Sequence, residues 1–193
     1  AILALCRWFA AHRGEARRMR AVVSRLPDVW RDALPVAAAP TQAPGHRRGG
    51  MLLGVPFGDL NTRHFRRVLA RNQLEEVRIT PWRSIFLPDQ SAFEESNFVS
   101  QAGDPLMQVH ACPGAPFCDS ATVETRSLAR ALAGRVSGDL HVSGCAKGCA
   151  HPRGAGVTLV GRDGRLDLVQ GGAPWDEPAR CGIDTAALMN GTE

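Results

Sequence analysis

The sequence predicts an α+β fold, and three patterns carry that prediction. A helix-period stretch at 61–71 lies between short strand-like runs. A strand–helix–strand order spans 106–145. GVTLVGRDGRLDLVQGG (156–172) alternates about Arg162-Asp163-Gly164 as a β-hairpin does.

Taken in order, Ile2, Leu5, Trp8, Phe9, Met19, Val22, Val23 and Leu26 recur at helical spacing, with six arginines from Arg7 to Arg25. This predicts an amphipathic helix over 2–26, broken near Gly14, with a solvated basic face. LPVAAAPTQAPGHRRGG (34–50) reads as a linker, being rich in Ala, Pro and Gly. MLLGVPF (51–57) predicts a strand, and Asn61 is the expected N-cap of a helix running through Arg71. EVRITPW (76–82) and SIFLP (84–88) predict further strands, completing a β-α-β-β run of about forty residues, small for a core of its own. LMQVHAC (106–112) and LHVSGC (140–145) predict strands, each running into a cysteine loop. SATVETRSLARALAGRV, starting at Ser120, predicts the helix between them, and a short helix is expected near 184–190. The expected organisation is a helical segment with linker at 1–50, a small β-α-β-β unit at 51–102 and a cysteine-bearing unit at 103–193.

Composition narrows the function classes. Apolar residues are 44% and charged residues 22% of the 193, and no apolar run reaches the ~20 residues that cross a bilayer. Arg7 interrupts the apolar opening and no small-residue cleavage site follows, unlike a secretory leader. The net charge is +4, yet aromatics are only 6%, Tyr is absent and no nucleic-acid-binding motif occurs. Positive charge then suits a small polyanionic substrate, with neither nucleic acid nor membrane as partner. The chain does not begin with Met and opens inside a helix-like pattern, as a piece of a longer or processed protein would.

Four of the six cysteines form two close pairs: Cys112 and Cys118 in ACPGAPFC, with five residues between them, and Cys145 and Cys149 in SGCAKGCAHP, with three. Clustered cysteines outside an oxidising compartment point to metal or catalysis rather than disulfides, which favours a reducing cytoplasm. Four thiolates on two loops can complete the coordination of a [4Fe–4S] cluster. Zinc is the rival, although structural zinc usually has two to four residues between paired ligands. Gly114, Gly144 and Gly148 allow close-bending backbone, Pro113 and Pro116 stiffen the first loop, and N–H groups opening the Ser120 helix could stabilise an anionic cluster. Cys6 reads as a buried small hydrophobe and Cys181 as an incidental thiol.

Cys-x5-Cys followed by Cys-x3-Cys resembles the cluster motif of the sulfite and nitrite reductase haemoprotein family, and GVPFGDLNTRHFRRVLARNQLEEVRITPWRSIFLP resembles its ferredoxin-like half-domain. Within it, GDPLMQVHACPGAPFCDSATVETRSLA and LHVSGCAKGCAHP are similar to the precorrin-3B synthases of aerobic cobalamin biosynthesis. The reductases more typically have Pro-Asn where this chain has Ala146-Lys147. The resemblance covers about 50–175 and the second of the two repeats such proteins contain. It implies one ferredoxin-like half-domain plus one sulfite/nitrite reductase-like 4Fe–4S α/β domain. It also implies an oxidoreductase, a monooxygenase converting precorrin-3A to precorrin-3B with O2 and reducing equivalents. The implied cofactors are a 4Fe–4S cluster on Cys112, Cys118, Cys145 and Cys149 and a mononuclear non-haem iron. Sirohaem, bridged through Cys149, belongs to the alternative of a sulfite or nitrite reductase. A non-catalytic zinc or Fe–S module is the non-enzyme alternative. The implied partners are a carboxylate-fringed precorrin or other uroporphyrinoid, O2 and an electron donor, either an NADH-linked reductase or ferredoxin-like.

A carboxylate-fringed substrate needs cations, which makes Arg78, Arg83 and Lys147 the candidate substrate contacts. His151, two residues after the quartet, is the candidate ligand for non-haem iron, while His110 and His141 suit packing positions. Arg63, Arg67 and Arg71 share a helix face, the pattern of a solvated surface.

Overall fold

The computed structural model describes residues 2–31, 40–91, 93, 95 and 97–190, and the chain divides into two compact units, 1–40 and 41–193. In the first unit the helix expected over 2–26 is shorter: α1 spans Ile2–His12. Gly14 takes φ +53 and turns the chain out of the helix, after which 19–21, 23–25 and 28–30 form single 3₁₀ turns. Trp8 stacks on His12 at 4.8 Å and meets the edge of Trp30 at 6.1 Å.

The second unit holds two sheets. The smaller is antiparallel and contains β1 (Gly45–Arg47), β2 (Gly50–Gly54), β3 (Arg78–Ile79) and β4 (Ser84–Pro88), in the order β1-β2-β4-β3. β1 lies inside the stretch read as linker; of that stretch, 34–39 fall outside the described residues. The strand expected over 51–57 stops at Gly54, because Pro56 cannot donate to a ladder and opens a 3₁₀ turn with Phe57 at φ +60. α2 (Thr62–Arg71) begins where expected, with the Asn61 side chain accepting from the His64 N–H at 2.9 Å. Val68 on α2 joins Met51, Leu53, Val55, Ile85, Leu87 and Phe93 in a separate buried cluster. The short β-α-β-β run therefore gathers an apolar core that Phe93, from beyond β4, completes.

The larger sheet has the order β5-β6-β7-β8-β9: Val109–Ala111, Leu140–Ser143, Val157–Arg162, Arg165–Gln170 and Arg180–Ile183. β5, β6 and β7 run parallel, and β7, β8 and β9 run antiparallel. Asp163 (φ +48) and Gly164 (φ +76) both take the left-handed conformation between β7 and β8, the type I′ geometry that matches strand twist. The expected strand over 106–112 starts late, because Pro105 opens a 3₁₀ turn over Pro105–Gln108. The helix expected from Ser120 is α3, Arg126–Leu132, and α4 is Thr185–Asn190. α3 buries Leu128, Ala129 and Leu132 in a core with Val109, Val142 and Leu159. No helix among the described residues is long and apolar enough to cross a membrane.

Leu128 is 0% exposed and anchors α3 to the strands that deliver the cysteines. Leu128→Ala should cost about 3 kcal/mol through lost burial and a residual cavity. Denaturant unfolding measures it; a loss below about 1 kcal/mol would mean α3 does not hold this core.

Candidate metal centre at two cysteine loops

Parallel pairing sets the site. β5 and β6 lie side by side in register, with His110 opposite His141 and Ala111 opposite Val142. Both strands run in the same direction, so the loops that follow leave from the same end of the sheet. Cys112 is the first residue after β5, and Cys145 is the second after β6. The backbone N–H of Gly144 donates to Cys112 Sγ at 3.2 Å, joining the two loops. Such an N–H stabilises a thiolate and tunes a metal bound to it.

The first loop is shaped by Thr125. Its hydroxyl, fully buried, donates to the Cys112 carbonyl at 2.6 Å. Gly114 takes φ +68 against it, and a Cβ there would stand 2.6 Å from Thr125 Oγ1. The second loop packs as closely: a Cβ on Gly144 would lie 2.6 Å from Ala121 Cβ and 3.4 Å from Gly114 Cα. Because α3 begins only at Arg126, the N–H groups of residues 120–125 do not open a helix. Those of Ala121 and Thr122 donate instead to the carbonyls of Cys118 (2.9 Å) and Gly144 (3.1 Å). The helix-terminus stabilisation expected at Ser120 is thereby corrected, and the amide that reaches sulfur is that of Gly144.

All six cysteines are free thiols, and Cys6, expected to be a buried hydrophobe, is exposed on α1. Cys112 is buried, Cys118 and Cys145 are half-buried, and Cys149 is exposed, following Gly148, on which Trp175 packs. Four soft donors on two touching, glycine-bent loops fit an iron–sulfur cluster in donor chemistry and loop placement. Among the described residues, however, no three His, Cys, Asp or Glu side chains are gathered into a metal-holding group, so the sulfurs are not pre-closed around a centre.

Under the loops lies a group of imidazoles that the sequence reading treated singly. The His151 ring lies tilted by 32° against His110, their centres 4.0 Å apart, and meets the His141 ring edge-on at 5.7 Å. His141 is 0% exposed, with neither ring nitrogen hydrogen-bonded. Burial pushes His141 down to about 4, and burial together with the nearby Arg83 cation does the same to His110, so both are neutral at pH 7. His151 Nε2 lies 3.4 Å from the Gly154 carbonyl oxygen. One sequence signal of this group was available: His110 and His141 occupy equivalent positions before their cysteines.

The candidate substrate contacts are spread out. Arg78 is exposed, bonds Glu76 at 2.6 Å and sits 5.8 Å above the Phe86 ring. Its pKa is raised, first by the hydrogen bond it donates to Glu76. Lys147 Nζ bonds Ser120 Oγ at 2.8 Å, across the two cysteine loops. Arg83, at φ +53, donates to the carbonyls of Val109 (2.8 Å) and Met107 (2.5 Å), tying the small sheet to the start of β5, and burial lowers its pKa. Arg83→Met should cost about 2 kcal/mol, since two inward carbonyls lose charged donors. Unchanged thermal unfolding would show that this guanidinium faces solvent instead.

Comparison with known proteins agrees with this fold. No family model matches the chain. It is 34% identical, over an alignment of 112 residues, to a precorrin-3B synthase from Sinorhizobium sp, covering 50% of this chain and 24% of that protein. The chain thus spans about a quarter of the length of the curated relative it matches. The solved structure of the Mycobacterium tuberculosis NirA protein superposes with a TM-score of 0.52 at 17% identity, over 81% of this chain and 37% of that one. The mixed α+β architecture with two sheets is therefore the fold that the NirA protein shows over this overlap. The resemblance to precorrin-3B synthase read from the cysteine tracts is borne out over half of the chain.

Proposed function

We propose that this chain is the cluster-bearing part of a precorrin-3B synthase-like oxidoreductase, with Cys112, Cys118, Cys145 and Cys149 as ligands of one [4Fe–4S] cluster. The observation that carries the reading is the joining of the two cysteine loops at one end of β5 and β6 by the Gly144 N–H to Cys112 Sγ. Similarity to the Sinorhizobium protein supports the choice of substrate class. A cluster held there would supply single-electron transfer from a reductase or ferredoxin-like donor.

In the overall reaction one atom of O2 enters precorrin-3A, the other leaves as water, and an external electron pair balances the step, giving precorrin-3B. Within this chain, Cys112 and Gly144 hold the buried corner of the site. Lys147, fixed by Ser120 between the loops, offers a cation to a ring carboxylate, and Arg78 offers another from the small sheet. His151 is the proposed protein ligand of the non-haem iron, behind the loops with His110.

Anaerobic reconstitution with iron and sulfide tests the reading. We expect roughly four iron and four sulfide per chain, with broad charge-transfer absorption and no porphyrinoid bands. About one zinc per chain without labile sulfide would replace the cluster by a structural zinc site. Strong porphyrinoid bands in the isolated protein would favour a sirohaem reductase.

A further inference from the structure

Three guanidinium groups that neutralise no carboxylate among the described residues converge on one cavity. Arg63 and Arg67 lie one turn apart on α2, and Arg130 comes from α3, its guanidinium 5.2 Å from the centre of the Phe57 ring. The cavity has a volume of about 390 Å³, and Asn61 and Asn97 add amide groups to its wall. Its one carboxylate, Asp59, is already held by Arg126 at 2.8 Å. Glu95 nearby is bonded by Arg71. His64 also lines the cavity, and its Nε2 is buried with no hydrogen-bond partner, Glu95 Oε2 being 4.0 Å away. Three like charges facing one space repel one another unless an anion sits between them.

We propose that this cavity binds a multiply charged oxyanion, either a phosphoryl group or clustered carboxylates of a small molecule. Guanidinium groups recognise both in forked geometry, and the Asn61 and His64 side chains add hydrogen bonds from the first turn of α2. The face that reads in sequence as solvated, Arg63 and Arg67, becomes a site because α3 brings Arg130 opposite it. The inference does not use the cysteine loops and stands if the cluster reading fails.

Titration calorimetry of the whole chain at fixed ionic strength tests it, with pyrophosphate and tricarballylate as the probes and chloride as the control. We expect one saturable site for at least one probe. Its affinity should fall about tenfold or more in Arg63→Gln/Arg67→Gln and in Arg130→Gln, as the loss of charged hydrogen bonds requires. Arg17→Gln, an exposed arginine of the other unit, should bind as the parent does. Preference for pyrophosphate identifies a phosphoryl ligand, and preference for tricarballylate a polycarboxylate. No saturable heat with either probe, or equal binding by the Arg63/Arg67 double variant, overturns the proposal; circular dichroism confirms that each variant is folded.

Discussion

Cys112→Ala should abolish cluster assembly while leaving the chain folded. Cys112 is the one buried cysteine of the quartet, and its sulfur alone receives an N–H from the opposite loop. Removing one thiolate opens a corner of a four-thiolate site, and a coordinated ligand contributes far more than any single contact in the loop. The small side chain itself matters little to stability: losing a buried thiol costs about 1 kcal/mol. Iron and sulfide should therefore fall to background in reconstituted Cys112→Ala, with the far-ultraviolet circular dichroism preserved. Cys181→Ala, which removes an exposed thiol outside the loops, should reconstitute fully. Full iron and sulfide in Cys112→Ala would remove it from the ligand set.

Gly114→Ala should be the most damaging change of a single methyl. The residue is left-handed at φ +68, which costs an L-residue about 1–2 kcal/mol. In addition, the new methyl would meet Thr125 Oγ1 at 2.6 Å and the Thr125 backbone nitrogen at 2.9 Å. Thr125 is fully buried and cannot give way without releasing the Cys112 carbonyl. Overpacking of this kind costs a further 1–3 kcal/mol or so, for a total of about 2–5 kcal/mol. Gly171→Ala separates the two effects, since Gly171 has φ +61 but open space around a Cβ. It should lose only the conformational part. Equal destabilisation of the two variants in urea would show that the contact with Thr125 carries no weight.

The elements legible in sequence are those with a local cause. Asn61 announces α2 because its side chain bonds the His64 amide, and Asp163-Gly164 announces the β7–β8 hairpin because both residues accept positive φ. SIFLP forms β4 over its whole length. What escaped depends on partners far along the chain. β1, Gly-His-Arg, has little strand propensity and is extended only because it pairs with β2. Residues 120–125 have a helical pattern, yet the Thr122 amide donates to Gly144 of the other loop and Thr125 turns inward to Cys112, so tertiary contacts override propensity. At the site, cysteine spacing showed which residues belong together, and the parallel pairing of β5 with β6 supplies the reason. Spacing could not show that Arg83 spends two donors on the carbonyls of Met107 and Val109, nor that His110, His141 and His151 lie against one another. Those contacts join residues up to 41 positions apart, counting from His110 to His151 (151 − 110).

The central claim is that one cluster is held by four sulfurs on two loops. Electron paramagnetic resonance of the anaerobically reconstituted, dithionite-reduced chain tests it most directly. A single rhombic signal of a reduced [4Fe–4S] centre, absent in Cys112→Ala and in Cys145→Ala and retained in Cys6→Ala and Cys181→Ala, is the expected result. A chain that stays silent after reduction while carrying bound zinc, or a cluster signal that survives the loss of both Cys112 and Cys145, would contradict it.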